Sequence, residues 1–278
     1  MNHEHPPVAF IGGGNMSSAI VRGASAAGAL DESRCVIAEP DAVKRASFRV
    51  GVPSALEALG KLGEMENEPG EGQVFLAIKP QMLVAIADEI REPLAAGPSR
   101  VVVSILAGTP SAKIRSALGE AARVVRVMPN TPAQVGRGMS AICPGEGALP
   151  GDGTFAERVM NAVGRTIRLD EDLMDAFTAL SGSGPAYVFY LAEAIAKAGE
   201  AVGFTPDQAL AITRQVIAGS AELLARDDRP PADLRAAVTS KGGTTAAATA
   251  VLDDALVMDA FVRAITAARD RGRELAKG

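Results

Sequence analysis

Ser240-Lys241-Gly242-Gly243-Thr244-Thr245 sets three hydroxyls and two glycines directly ahead of an alanine-rich helical stretch. Glycines let a backbone approach a ligand closely. A helix starting just after them offers free N–H donors and the positive end of its dipole. That chemistry holds a carboxylate as phosphate sites hold phosphate, although a capped turn between helices uses the same residue types. Near the other end, Gly12-Gly13-Gly14 follows the apolar run Val8-Ala9-Phe10-Ile11 and precedes Asn15, Met16 and a helical stretch through Val21. A strand, a tight turn and a helix start make a receptor for a pyrophosphate. Gly12-x-Gly14 fits the dinucleotide pattern, but the third small position is Ser17. Alone, the motif is equally a strand-to-helix turn needing positive φ.

What is missing narrows the chemistry. The only histidines are His3 and His5, both in the N-terminal tail, so the body of the chain offers no imidazole as general acid, base or metal ligand. The two cysteines, Cys35 and Cys143, are not spaced as a metal site and read as small core residues of a reduced protein. No metal is expected. Any hydride chemistry must run on hydroxyls, backbone amides, water or a lysine.

These residues need elements to position them. Apolar runs at 8–11, 35–38, 74–78, 101–106, 124–127 and 139–142 alternate with helical stretches, which predicts a parallel α/β sheet of the doubly wound Rossmann type. The second run ends in Glu39, where such a fold meets the adenosine ribose, 27 residues after Gly12. Ligands lie beyond the C-terminal ends of the strands, which points to Ala77, Ile78, Lys79 and Pro80 beside the nicotinamide half. The same argument places Ile105, Leu106 and Ala107 at the next strand end. Met128-Pro129-Asn130-Thr131-Pro132 reads as a rigid loop with a structural role at least as well supported as a contact role. Residues 60–73 are acidic and glycine-rich and predict a surface loop.

Thr166-Ile167-Arg168-Leu169 reads as an edge strand closing a dinucleotide-binding domain over residues 1–170. From 171 to 278 the texture is all-helical, with alanine-rich segments at 186–202, 206–226 and 246–277 and a helix start at Thr205-Pro206-Asp207. Leu180-Ser181-Gly182-Ser183-Gly184-Pro185 opens the long helix of this second domain. Its exposed N–H groups suit an active-site floor or a well-capped interdomain helix. At 278 residues and 47% hydrophobic content, two domains and a substantial core are expected. A net charge of −5 with mixed signs gives no nucleic-acid footprint, and no stretch suits a membrane span or signal peptide. The expected location is the cytoplasm.

Five blocks together carry a resemblance along essentially the whole chain: Phe10-Ile11-Gly12-Gly13-Gly14-Asn15-Met16, Ala77-Ile78-Lys79-Pro80-Gln81, Met128-Pro129-Asn130-Thr131-Pro132, Ser181-Gly182-Ser183-Gly184-Pro185-Ala186-Tyr187 and Val238-Thr239-Ser240-Lys241-Gly242-Gly243-Thr244-Thr245. The chain resembles the pyrroline-5-carboxylate reductases. The resemblance implies reduction of the cyclic imine 1-pyrroline-5-carboxylate to L-proline with NADPH or NADH, the last step of proline biosynthesis. It also implies Thr245 beside the imine nitrogen as the catalytic residue. Ser240, Gly242, Gly243 and Thr244 then join Thr245 around the substrate carboxylate, with Asp228 the loose match to an acidic residue. The glycine block, Ile11 through Met16, falls to the cofactor. Lys241 departs from the usual proline and Ser17 from the usual alanine. Homodimers that stack into larger rings are implied as well, with substrate bound where one subunit's loop meets a cofactor domain. An iminium accepts hydride without an oxyanion to stabilise, which accords with the missing histidine.

Three other readings compete. A β-hydroxyacid dehydrogenase needs a lysine soon after the glycines at 182–184, and none occurs before Lys197. A regulatory protein would not need the intact glycines and hydroxyl loop. A reductase of a related cyclic imine is compatible with the sequence. On the nucleotide, Glu39 suits a ribose diol and repels a 2′-phosphate, while Lys44, Arg45 and Arg49 offset that repulsion. Both cofactors are therefore expected to work, with NADH competitive.

Overall fold

A computed structural model of the chain describes residues 5–277; His3 lies outside them. The first strand, β1 (Val8–Ile11), leads to α1 (Asn15–Ala26), β2 (Cys35–Ala38), α2 (Ala42–Arg45), β3 (Gly51–Val52) and α3 (Ala55–Met65). The chain continues through β4 (Gln73–Leu76), α4 (Leu83–Ala96), β5 (Arg100–Ser104), α5 (Ser111–Leu118) and β6 (Ala122–Met128). It closes the sheet with β7 (Gly138–Pro144), α6 (Thr154–Asn161) and β8 (Gly164–Arg168), followed by α7 (Met174–Phe177).

The eight strands order as β3-β2-β1-β4-β5-β6-β7-β8. All neighbours are parallel except β6 and β7, which run antiparallel. The expected Rossmann-type sheet is therefore present, with one antiparallel step. Strand periodicity divides its side chains between two cores. Val8 and Phe10 join Ile20, Phe75, Val103 and Phe155 on one face. Ala9 and Ile11 join Val36, Leu62, Leu76 and Ile90 on the other.

The expected loop at 60–73 needs correction. Its first half completes α3, and Gln73 already belongs to β4. Apolar residues at Ala55, Ala58 and Leu62 keep the helix on the sheet despite two glycines. The remaining residues are pinned: Glu66 pairs with buried Arg100 at 2.5 Å and accepts the Gly70 and Gly72 N–H groups, while Arg34 holds Glu71.

Five helices follow: α8 (Gly184–Ala201), α9 (Pro206–Arg226), α10 (Pro231–Ala237), α11 (Thr244–Asp254) and α12 (Val257–Lys277). Thr205 caps α9 in a reciprocal box with Gln208, as the Thr-Pro-Asp start predicts. The stretch expected as one helix over 246–277 is two, broken at Leu256 with φ +51°. The chain divides into two compact units, Met1–Ser183 with Ala268–Gly278, and Gly184–Ala267. Within the second, only Ala209 and Thr213 are buried. Among the described residues no helix is long and apolar enough to cross a membrane.

Candidate active site

Ladder hydrogen bonds bring the ends of β1, β2 and β4 together. Gly12 N donates to Ala38 O at 2.9 Å, and Ala77 N donates to Ile11 O at 2.9 Å. The turn then folds back at Gly12 with φ +107°, and a Cβ there would lie 2.5 Å from the Ala77 carbonyl oxygen. Only glycine fits. Ser17, the departure from the third glycine, is 1% exposed and donates its hydroxyl to Gly12 O at 2.6 Å. It braces the turn that it would otherwise merely pack against. Gly14 caps α1 with no side-chain hydrogen bond, so the first-turn N–H groups lack a side-chain acceptor.

A cavity of about 430 Å³ opens over these strand ends, lined by Ile11, Gly12, Gly13, Gly14, Glu39, Ala77, Ile78 and Lys79, among others. These members of the expected cofactor set are brought together. The rest are placed differently. Pro80 and Ala107 line a second cavity of about 390 Å³, with Gly108, Thr109 and Lys113. Asn15 lines a third, with Arg22 and Gln134. Met16 and Ile105 pack against one core and Leu106 is buried in the other. The uncapped helix start, the cradle at Gly12 and the cavity above it fit a dinucleotide pyrophosphate.

Two motifs expected as separate features are tied together. Asn130 Nδ2 donates to the Ser181 carbonyl oxygen and to its Oγ, each at 3.2 Å, while Asn130 Oδ1 accepts Met139 N–H at 2.9 Å. Ser181 sits in a π-helical turn over Thr178–Gly182, a geometry found often at functional sites.

Glu171 was not singled out by sequence. It accepts Ser111 N–H at 2.6 Å and Ser111 Oγ–H at 2.5 Å, and pairs with Arg126 at 2.9 Å. Pro110 gives α5 no side-chain cap, so Glu171 caps it from sixty residues away. Burial pushes the Glu171 carboxyl up, but the Ser111 and Arg126 contacts outweigh it and hold it below the usual range. No local signal marks a capping partner so distant. Burial raises both thiols, Cys143 to about 11, so neither is a nucleophile at neutral pH.

In the helical unit, the start of α11 repeats the construction at α1. Gly243 is its cap, with no side-chain hydrogen bond. A Cβ on Gly243 would lie within 2.4 Å of Ser240 Oγ, so the hydroxyl presses against bare backbone. Thr239 donates its hydroxyl to Arg235 O at 2.7 Å. The hydroxyls of Ser240, Thr244 and Thr245 have no such partner among the described residues. Asp228 is exposed, whereas its neighbour Asp227 is held by Arg229, which lowers its carboxyl to about 2.

Comparison with known proteins accords with this anatomy. Residues 171–275 match the family described as pyrroline-5-carboxylate reductase dimerisation, and residues 7–108 match NADP oxidoreductase, coenzyme F420-dependent. A pyrroline-5-carboxylate reductase of Arabidopsis thaliana is 35% identical, over 97% of this chain and 95% of its own length. One of Haemophilus influenzae is 36% identical, over 98% of each. Among solved structures, a pyrroline-5-carboxylate reductase from Coxiella burnetii superposes with a TM-score of 0.85 at 34% identity, over 98% of this chain and 99% of its own. A Plasmodium falciparum pyrroline carboxylate reductase with NADP bound gives 0.84 at 26% identity, over the same shares.

Proposed function

Because the chain belongs to the pyrroline-5-carboxylate reductase family, we propose that it reduces 1-pyrroline-5-carboxylate to L-proline, completing proline biosynthesis. The observation that carries the reading is the start of α11, where a glycine turn without a side-chain cap and three hydroxyls with no hydrogen-bond partner among the described residues suit a small carboxylate beside a polar ring atom. Ser240 and the backbone of Gly242, Gly243 and Thr244 hold the carboxylate. Thr245 donates to the ring nitrogen, fixing the orientation of the C=N bond. Ile11 to Asn15, Glu39 and Ala77 to Lys79 hold the dinucleotide, with Pro80 and the 105–107 strand end bordering it.

When bound, NADPH or NADH would supply a hydride to the imine carbon. The Thr245 hydroxyl, relaying a proton from water, would first protonate the ring nitrogen to the iminium, so that the C=N electron pair moves onto a nitrogen that already carries its proton and the product is the neutral amine. Nothing in this step develops an oxyanion, so no imidazole is required. The rate gain comes chiefly from holding the ring in one pose.

By role, residues 1–170 are the nucleotide domain and residues 171–278 the substrate and dimerisation domain of a cytoplasmic enzyme, although the compact nucleotide unit itself extends to Ser183 and takes in the C-terminal segment from Ala268. Exposed Phe189, Tyr190, Leu223, Val251 and Val262 give helices with almost no buried core an apolar surface that a second copy covers. A homodimer is the minimum assembly, and dimers stack into a ring. The decisive assay adds the cyclic imine and NADPH or NADH to the purified chain and follows nicotinamide oxidation together with proline formation. Absence of turnover refutes the reading. Faster turnover of a six-membered imine acid reassigns the substrate.

A further inference from the structure

We infer that Glu39 makes this site selective for NADH over NADPH, an inference that rests on the dinucleotide reading above. Glu39 follows the last residue of β2 and lines the 430 Å³ cavity, yet it is only 9% exposed. Both carboxylate oxygens are anchored: Oε2 accepts Gly13 N–H at 3.1 Å and Oε1 accepts Asp41 N–H at 3.0 Å. Two amides on separate segments prevent the group from swinging away from an incoming phosphate. The lone pairs left over accept from ribose hydroxyls.

The sequence leaves three basic residues to offset this charge; the structure diverts one of them and leaves another outside the cavity lining. Arg45 directs Nη1 at the carbonyl oxygens of Glu39 and Pro40, at 2.9 and 3.0 Å, and its Cγ packs where a Cβ on Gly51 would stand. Its guanidinium therefore serves the backbone of the β2 turn. Arg49 is not among the residues that line the cavity. Lys44 does line it, from the exposed four-residue α2. A single ammonium on a flexible stem lacks the planar fork that grips a phosphate at two points. Lys79 also borders the cavity, but so does a second carboxylate, Glu89, which accepts Leu56 N–H at 2.8 Å. Two hydrogen-bonded carboxylates thus share the cavity with two lysine ammoniums, and the doubly charged 2′-phosphate meets no surplus of positive charge. At contact distance and high dielectric, that mismatch corresponds to roughly ten- to a hundredfold in affinity.

The test is equilibrium binding of NADH and of NADPH to the whole protein without imine, read by nicotinamide fluorescence or calorimetry. The wild-type chain should bind NADH at least about tenfold more tightly. Glu39→Gln retains an acceptor for Gly13 N–H and removes the charge. It should tighten NADPH, move NADH little and collapse the ratio, and Glu39→Ser should do the same. Using the ratio cancels any loosening of the glycine turn that affects both ligands. Added salt should narrow the wild-type ratio. Equal wild-type affinities, or a ratio unchanged in both variants, overturn the inference and leave the dinucleotide reading standing. Failure of either nucleotide to bind the folded wild-type protein overturns that reading itself.

Discussion

Adding one methyl group at Gly12 or at Gly14 should produce opposite failures. At Gly12, φ is +107°, a conformation that costs an L side chain on the order of 1–3 kcal/mol. The new Cβ would also meet Ala77 O at 2.5 Å and Ala77 C at 2.9 Å. Those are backbone atoms, and the Ala77 N–H is already bonded to Ile11 O at 2.9 Å, so no rotamer change relieves the clash. Forcing β1 and β4 apart adds about 1–3 kcal/mol. Gly12→Ala should therefore lose about 2–6 kcal/mol, or roughly 5–20 °C in melting temperature. Gly14 has φ −71° and nothing within 4 Å of its would-be Cβ. Gly14→Ala should melt within a few degrees of the parent, at a cost below about 1 kcal/mol. It should nonetheless bind NADH at least tenfold more weakly (roughly 1.4 kcal/mol), because the methyl occupies space the pyrophosphate needs. The assays are thermal denaturation and nucleotide titration on the same preparations. A Gly14→Ala protein that binds NADH like the parent would place the phosphates elsewhere. A Gly12→Ala protein that melts with the parent would refute the strain argument.

Thr245→Val, which keeps shape and removes the donor, should lower kcat by about 5- to 150-fold and leave nucleotide affinity nearly unchanged. Ser240→Ala should act mainly on KM for the imine acid, and unchanged kinetics in both variants would move the substrate elsewhere. Glu171→Gln leaves the buried Arg126 guanidinium without its anion and should destabilise the nucleotide unit by about 3 kcal/mol, less whatever solvent screening restores. Because the folded carboxyl lies below its ordinary value of 4.5, its contribution is complete above that pH and fades as pH falls below it. Parent and variant melting curves should therefore converge in acid. Light scattering should show a dimer or larger, and a fully active monomer would contradict the assembly proposed for the helical unit.

The parts of this architecture legible in the sequence are those written in short-range patterns. The strand Cys35–Ala38 is apolar throughout because both its faces are buried, and it ends where the sequence places it. Thr205-Pro206-Asp207 states its own cap. Residues 60–73 misled because glycine and acid content outweighed the helical spacing of Ala55, Ala58 and Leu62. β3 has two residues and no periodicity to detect. At the candidate site, the glycine turns and the hydroxyl loop were legible because each is contiguous. The anchoring of Glu39 by Asp41, the diversion of Arg45 to backbone carbonyls and the Asn130–Ser181 tie were not, since each depends on side-chain direction after folding.

The clasp made by Glu171 also bears on the order in which this protein can be built. Translation delivers Ser111 and Arg126 before the residue that satisfies both, with 45 residues separating Arg126 from Glu171. At 5–20 residues per second, a nascent chain waits roughly 2–9 s with an uncapped α5 and a cation lacking its anion. The nucleotide unit thus cannot close this clasp until the lead-in to the helical unit has been synthesised. Grafting the N-terminal sheet onto another protein would require carrying Glu171 along, or supplying a carboxylate at the same point.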